Sequence, residues 1–181
     1  MALFDKNTWY ILQHLHHTIA AQVASCIENG DRIQPQAYLI SPAAAHDGYA
    51  GMHMAEIAPE FLEDMLSLPH GEQLLNQYLI DALQEGSVVQ RQIDREHGIQ
   101  ARYTLCVQET VLPHADSQAQ PRPALLVLMR GPHFALPIFH LIETTGTQQR
   151  RCHLRPFPDM QEIEAAQTLL QVRPFCSSTL H

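Results

Sequence analysis

At 181 residues, with 45% hydrophobic and 17% charged side chains, the chain is long enough to bury one substantial core and too apolar for extensive disorder. Its formal charge of -8 and its single lysine, Lys6, exclude the broad basic face that nucleic-acid binding needs. The acid lies early: residues 1–85 carry 2 basic and 11 acidic side chains, residues 86–181 carry 9 and 8.

Cys26, Cys106, Cys152 and Cys176 lie far apart and form no CxxC pair, which speaks against a zinc ribbon or a thioredoxin-type motif. The first residues lack the order of a secretory signal, and no apolar run approaches the roughly 20 residues that span a bilayer. The expectation is a cytoplasmic protein with reduced thiols and no membrane contact.

In chain order, Leu12, Leu15, Ile19, Val23, Cys26 and Ile27 recur at helical steps and predict a helix over 8–28, capped by Asn7 or Thr8 and closed by Asn29-Gly30. Gln36–Ser41, between two prolines, reads as a strand. Residues 43–51 read as a loop holding His46-Asp47, and 51–57 as a weaker strand that pairs back on the first. Pro59 opens a short helix with Phe61, Leu62, Met65 and Leu66, and a longer helix follows over 71–85. Residues 88–97 predict a third helix with little to bury.

Strict alternation over 100–110 is the clearest strand signal in the chain. A Pro-rich loop over 113–123 separates it from two apolar runs, Pro123–Arg130 and Phe134–Thr144, joined by Gly131-Pro132-His133. These runs predict an antiparallel hairpin at the centre of the sheet with both faces covered. Pro137, which cannot donate to a ladder, implies a bulge or an unpaired edge. Arg150–Arg155 reads as an edge strand with Arg151, His153 and Arg155 on a solvated face, and Arg130 nearby. A last helix over 160–172, with Asp159 as N-cap, precedes a frayed tail.

The fold class is therefore α+β: a mixed, mainly antiparallel sheet of about five strands carrying helices, in the order α-β-β-α-α-β-β-β-α. It forms one domain over residues 1–173, with a flexible tail over 174–181. This element order resembles roadblock and longin-type domains, α/β sandwiches that act mainly as scaffolds and regulators through dimer and partner surfaces. The resemblance rests on layout, with no residue motif, and carries over no functional residue.

Twelve histidines raise metal binding first. His14 and His17 fall one turn apart on the first helix, with His16 pointing away, but no third ligand follows at zincin spacing. His46-Asp47 is a ligand-like pair in an Ala/Gly loop. Met52-His53-Met54 alternates, so the imidazole and thioethers face opposite ways, and core packing is the simpler role. Cys106 lies on the best strand with no base beside it and reads as a buried thiol. Glu109 and Glu143 each end an apolar strand; held together they would form a coupled acid pair, and apart they would simply emerge into water. Ser41 lacks a nucleophile elbow, and the glycines form no phosphate loop.

No catalytic residue, cofactor or metal ligand is assigned. The expected function is that of a small interaction or regulatory module acting through a protein partner or a homodimer. The runner-up is a metal-dependent hydrolase whose site is drawn from His14, His17, His46, His53 and His140.

Overall fold

The computed structural model describes residues 6–42, 51–112, 122–146 and 148–163. His46-Asp47, nearly all of the Pro-rich loop, most of the last expected helix and the tail lie outside them. Among the described residues no helix is long and apolar enough to cross a membrane.

Helix α1 spans Lys6–Glu28. It begins before the cap expected at Asn7 or Thr8. Leu12, Leu15, Ile19, Val23 and Ile27, at three- and four-residue steps, are all buried. Its end is a Schellman closure: the Asp31 amide donates to the Cys26 carbonyl at 3.0 Å and the Gly30 amide to Ile27 at 3.1 Å, with Gly30 at φ 84°.

Strands β1 (Gln36–Pro42) and β2 (Met52–Glu56) follow, then helices α2 (Pro59–Ser67), α3 (Gly71–Leu83) and α4 (Val88–His97). Ser87 caps α4 by accepting from the Gln90 amide, and left-handed Gly98 ends it. Ile93 is the residue this polar helix buries. Strands β3 (Tyr103–Leu112), β4 (Arg122–Gly131), β5 (Phe134–Thr144) and β6 (Arg150–His153) complete the sheet. Residues 160–163 are helical, and the expected cap at Asp159 is a reciprocal box: its carboxylate accepts from the Glu162 amide at 2.8 Å while Glu162 accepts from the Asp159 amide at 2.9 Å.

The sheet has six strands rather than about five, in the order β2-β1-β3-β4-β5-β6, and every neighbouring pair is antiparallel. The segments read one by one already include both elements that the condensed order α-β-β-α-α-β-β-β-α left out: Arg150–His153 is the sixth strand, paired to Leu141–Thr144, and Val88–His97 is the third helix between β2 and β3. The hairpin is off-centre: β4 is central, while β5 is next to the edge. Pro137 sits on the stretch of β5 that β6 does not reach, so its missing N–H faces an edge without a strand partner among the described residues.

Two cores result. On one face, alternate residues such as Leu105, Val107, Leu125, Val127 and Ile138 pack against the α1 stripe. On the other, Ala37, Leu39 and Cys106 pack against Leu62, Leu75, Leu79, Ala82 and Ile93 of α2–α4. The hairpin is not covered equally on its two sides. Its α1-facing residues are buried, whereas Leu126, Leu128, Phe139 and Leu141 on the other face are half-buried and Pro137 is exposed. The reason is placement: among the strands, α2 packs mainly on β1 and α3 mainly on β3.

The turn between α2 and α3 is tight. A Cβ at Gly71 would lie 2.4 Å from the Met65 carbonyl oxygen and 2.7 Å from the Leu66 Cα, both backbone atoms that cannot swing away. Gly71→Ala is therefore expected to cost about 1–3 kcal/mol through overpacking. Urea unfolding of the variant checks this, and an unchanged midpoint would show that the helices can separate freely.

Candidate functional site

The densest polar feature inside the main core is a pair of imidazoles. His16 continues the α1 stripe, four residues after Leu12 and three before Ile19. His140 alternates on β5 with Ile138 and Ile142, which face the same core. Their Nε2 atoms approach to 3.1 Å, with ring centroids 5.1 Å apart. Exposure is 2% for His16 and 0% for His140, so neither ring is open to a substrate.

The protons can be placed by following the hydrogen bonds. The Arg155 backbone N–H donates to His140 Nδ1 at 2.9 Å, so that nitrogen is an acceptor and a neutral His140 carries its proton on Nε2. That N–H donates to His16 Nε2, which leaves the His16 proton on Nδ1. His16 Nδ1 is buried without a partner among the described residues, as is Trp9 Nε1 seven residues earlier on the same helix. Both rings lean on Phe157, at centroid distances of 5.3 Å and 6.1 Å.

Both histidines are held neutral. Burial, then the nearby His140 and His17, lower His16 from its usual 6.5 to about 4. Burial, then the Arg155 charge, lower His140 to about 4. A neutral His140 with its proton on Nε2 offers no lone pair there to a metal ion. The pair is a joint between helix and sheet rather than an acid-base centre open to substrate.

The other candidate residues are dispersed. His14 and His17 are exposed on the far side of α1, and His53 is exposed on edge strand β2; the flanking Met54 is 48% exposed, against the expectation of core packing. Met52 does pack against the core. Among the described residues no three His, Cys, Asp or Glu side chains gather as a metal-holding group, and His46 lies outside them. Cys106 is buried, and burial pushes its thiol up to about 11 although Arg130 opposes the shift.

Glu109 and Glu143 do not meet. They stand on β3 and β5 with β4 between them, and the register puts them on opposite faces. Each has its own partner: Arg150 Nη2 lies 2.5 Å from Glu109, and His153 Nε2 lies 2.9 Å from Glu143. Arg151 and His153 are exposed on β6, as a solvated edge requires. Arg130 belongs elsewhere, at the opposite end of β5, where it donates to the Asn76 side-chain oxygen of α3.

Sequence reasoning turned His16 away from His14 and His17, as the structure does, but did not follow it into the core. The signal was present: position 16 falls on the stripe of Leu12, Ile19 and Val23, and position 140 on the buried parity of β5.

The pair predicts acid sensitivity with a definite sign. In the unfolded chain both rings titrate near 6.5, and in the folded chain near 4, so the unfolded state binds more protons between those values. Stability is complete above pH 6.5 and falls as the pH drops toward 4, by up to about 1.4 kcal/mol per pH unit for each ring. Urea unfolding at half-unit intervals checks this, and the slope should flatten in His16→Leu/His140→Leu. His16→Leu alone is expected to cost about 1–3 kcal/mol by stranding the His140 donor.

Comparison of the chain with models of protein families, with curated proteins and with solved structures finds no match.

Proposed function

We propose that this chain is a small interaction or regulatory module without catalytic activity, acting through a protein partner or its own self-association. The observation that carries the reading is a contrast between inside and outside. The groups best suited to chemistry are shut in and neutral, as with His16, His140 and Cys106. The helical layer meanwhile leaves Phe61, Leu68 and Leu74 41–53% exposed, the kind of apolar surface a partner covers.

Two further features support it. The alternation of a helix, two strands, more helices and a run of antiparallel strands is compatible with a roadblock or longin-type layout, whose members work through such surfaces. Cys26, Cys106 and Cys152 are unpaired, which suits a reducing cytoplasm.

The reading predicts that protein purified without an affinity tag carries no stoichiometric metal and that added zinc or manganese does not raise its unfolding temperature. Elemental analysis and thermal melts test this. One equivalent of zinc, iron or manganese per chain would replace the module with a metal-dependent hydrolase.

A further inference from the structure

We infer that the outer face of α2 and α3 is the docking surface, and that its occupant is a basic amphipathic helix of a partner protein. The inference rests on the module reading and names the partner that reading requires.

Apolar residues on these helices exceed what their core uses. Leu62, Leu75, Leu79 and Ala82 are buried in the second core. On the outer side, Phe61, Met65 and Leu68 follow at steps of four and three along α2, and Leu74 and Tyr78 lie one turn apart on α3. Phe61 is 41%, Leu68 53% and Leu74 45% exposed, while Met65 and Tyr78 are partly buried between the helices. The Phe61 and Tyr78 rings stand 5.2 Å apart, so the two stripes join into one strip. With 13 residues α3 is about 20 Å long, room for a docked helix of similar length.

Charge selects the occupant. Between Arg32 and Arg91 the sequence has no lysine or arginine and eight acidic residues. Glu60, Asp64 and Glu72 flank the strip, all exposed, and none of their carboxylates has an ion-pair or hydrogen-bond partner among the described residues; Asp64 accepts from the Ser67 hydroxyl through its backbone carbonyl. Among the described residues the Glu63 and Asp81 carboxylates accept from the neutral amides of Gln34 and Gln77. The two helices therefore supply apolar contacts and carboxylates but no Lys or Arg; the Arg130 guanidinium reaches α3 from β4 at Asn76, where it is held by the Asn76 side-chain oxygen.

A helix with apolar residues at i, i+3, i+4 and i+7 and Lys or Arg beside them would complement both features. A second copy of the same face would set acid against acid, and nucleic acid or an anionic bilayer would be repelled likewise.

The test uses the full chain and a fluorescein-labelled 18-residue peptide of leucine and lysine in amphipathic helical order, read by anisotropy. Its controls are the same residues scrambled and a leucine–glutamate counterpart. The ordered basic peptide should bind saturably at one per chain, the scramble about tenfold more weakly, and the acidic peptide not at all.

Glu60→Lys/Asp64→Lys/Glu72→Lys should weaken binding about tenfold. An equal charge change elsewhere, Asp31→Lys/Glu85→Lys/Asp94→Lys, should weaken it far less. Phe61→Ser/Leu74→Ser should abolish it with circular dichroism unchanged and the urea midpoint lowered only by the lost Phe61–Tyr78 contact and partial burial, the chain remaining folded.

Equal losses in the two charge variants, or no saturable binding, would overturn the proposed partner. If the chain then sediments as a stable homodimer, the interaction reading survives without it; a stoichiometric metal would remove both.

Discussion

Helix α1 and the sheet hold each other in place, and the remaining architecture follows from that contact. The helix presents Leu12, Leu15, Ile19, Val23 and Ile27 to alternate residues of β1, β3, β4 and β5, and none of these side chains exceeds 9% exposure. Each large apolar side chain so buried contributes about 1.5–3 kcal/mol. One polar contact is set into this surface, the 3.1 Å approach of His16 to His140. It is tolerated because both rings are neutral and because the hydrogen bonds run in one direction, from the Arg155 amide through His140 to His16. A proton added to either ring would place a charge in the core: on His16 it would set two N–H groups against each other across 3.1 Å, and on His140 it would set Nδ1–H against the Arg155 amide at 2.9 Å.

The opposite face is built differently. The short helices α2–α4 pack over β1 and β3 and leave the corresponding side of the hairpin partly open. Their own core is closed by Leu62, Leu75, Leu79, Ala82 and Ile93, yet further apolar residues remain on their outer side among exposed carboxylates. The two faces of the sheet therefore differ: α1 closes one, while α2 and α3 leave apolar side chains exposed over the other. Five of the eleven acidic residues of the first 85, Glu60, Glu63, Asp64, Glu72 and Asp81, stand on α2 and α3.

Local pattern was enough to read most elements of this fold. The stripe of α1, the alternation over β3, the two arms of the hairpin and the Asp159 cap all follow from periodicity and short-range hydrogen bonding. Features that depend on which strands are neighbours were not legible. Glu109 and Glu143 looked comparable as strand ends, but β4 intervenes and each has its own partner, Arg150 and His153. Arg130 and Arg150 are both arginines of the C-terminal strands, yet they occupy opposite ends of β5. His16 was misjudged for a different reason: a polar residue type outweighed a position that the helical stripe marks as buried. A buried histidine is visible in sequence only when its partner is known, and that partner stands 124 residues away.

The most direct test of the account is the nitrogen-15 spectrum of the histidine rings, recorded from pH 7 down to 4.5. The arrangement predicts two rings that stay neutral over this range with opposite tautomers, His140 protonated on Nε2 and His16 on Nδ1. Rapid tautomer averaging in both rings, or an imidazolium at either position at pH 7, would contradict the joint between helix and sheet on which the description of the fold depends.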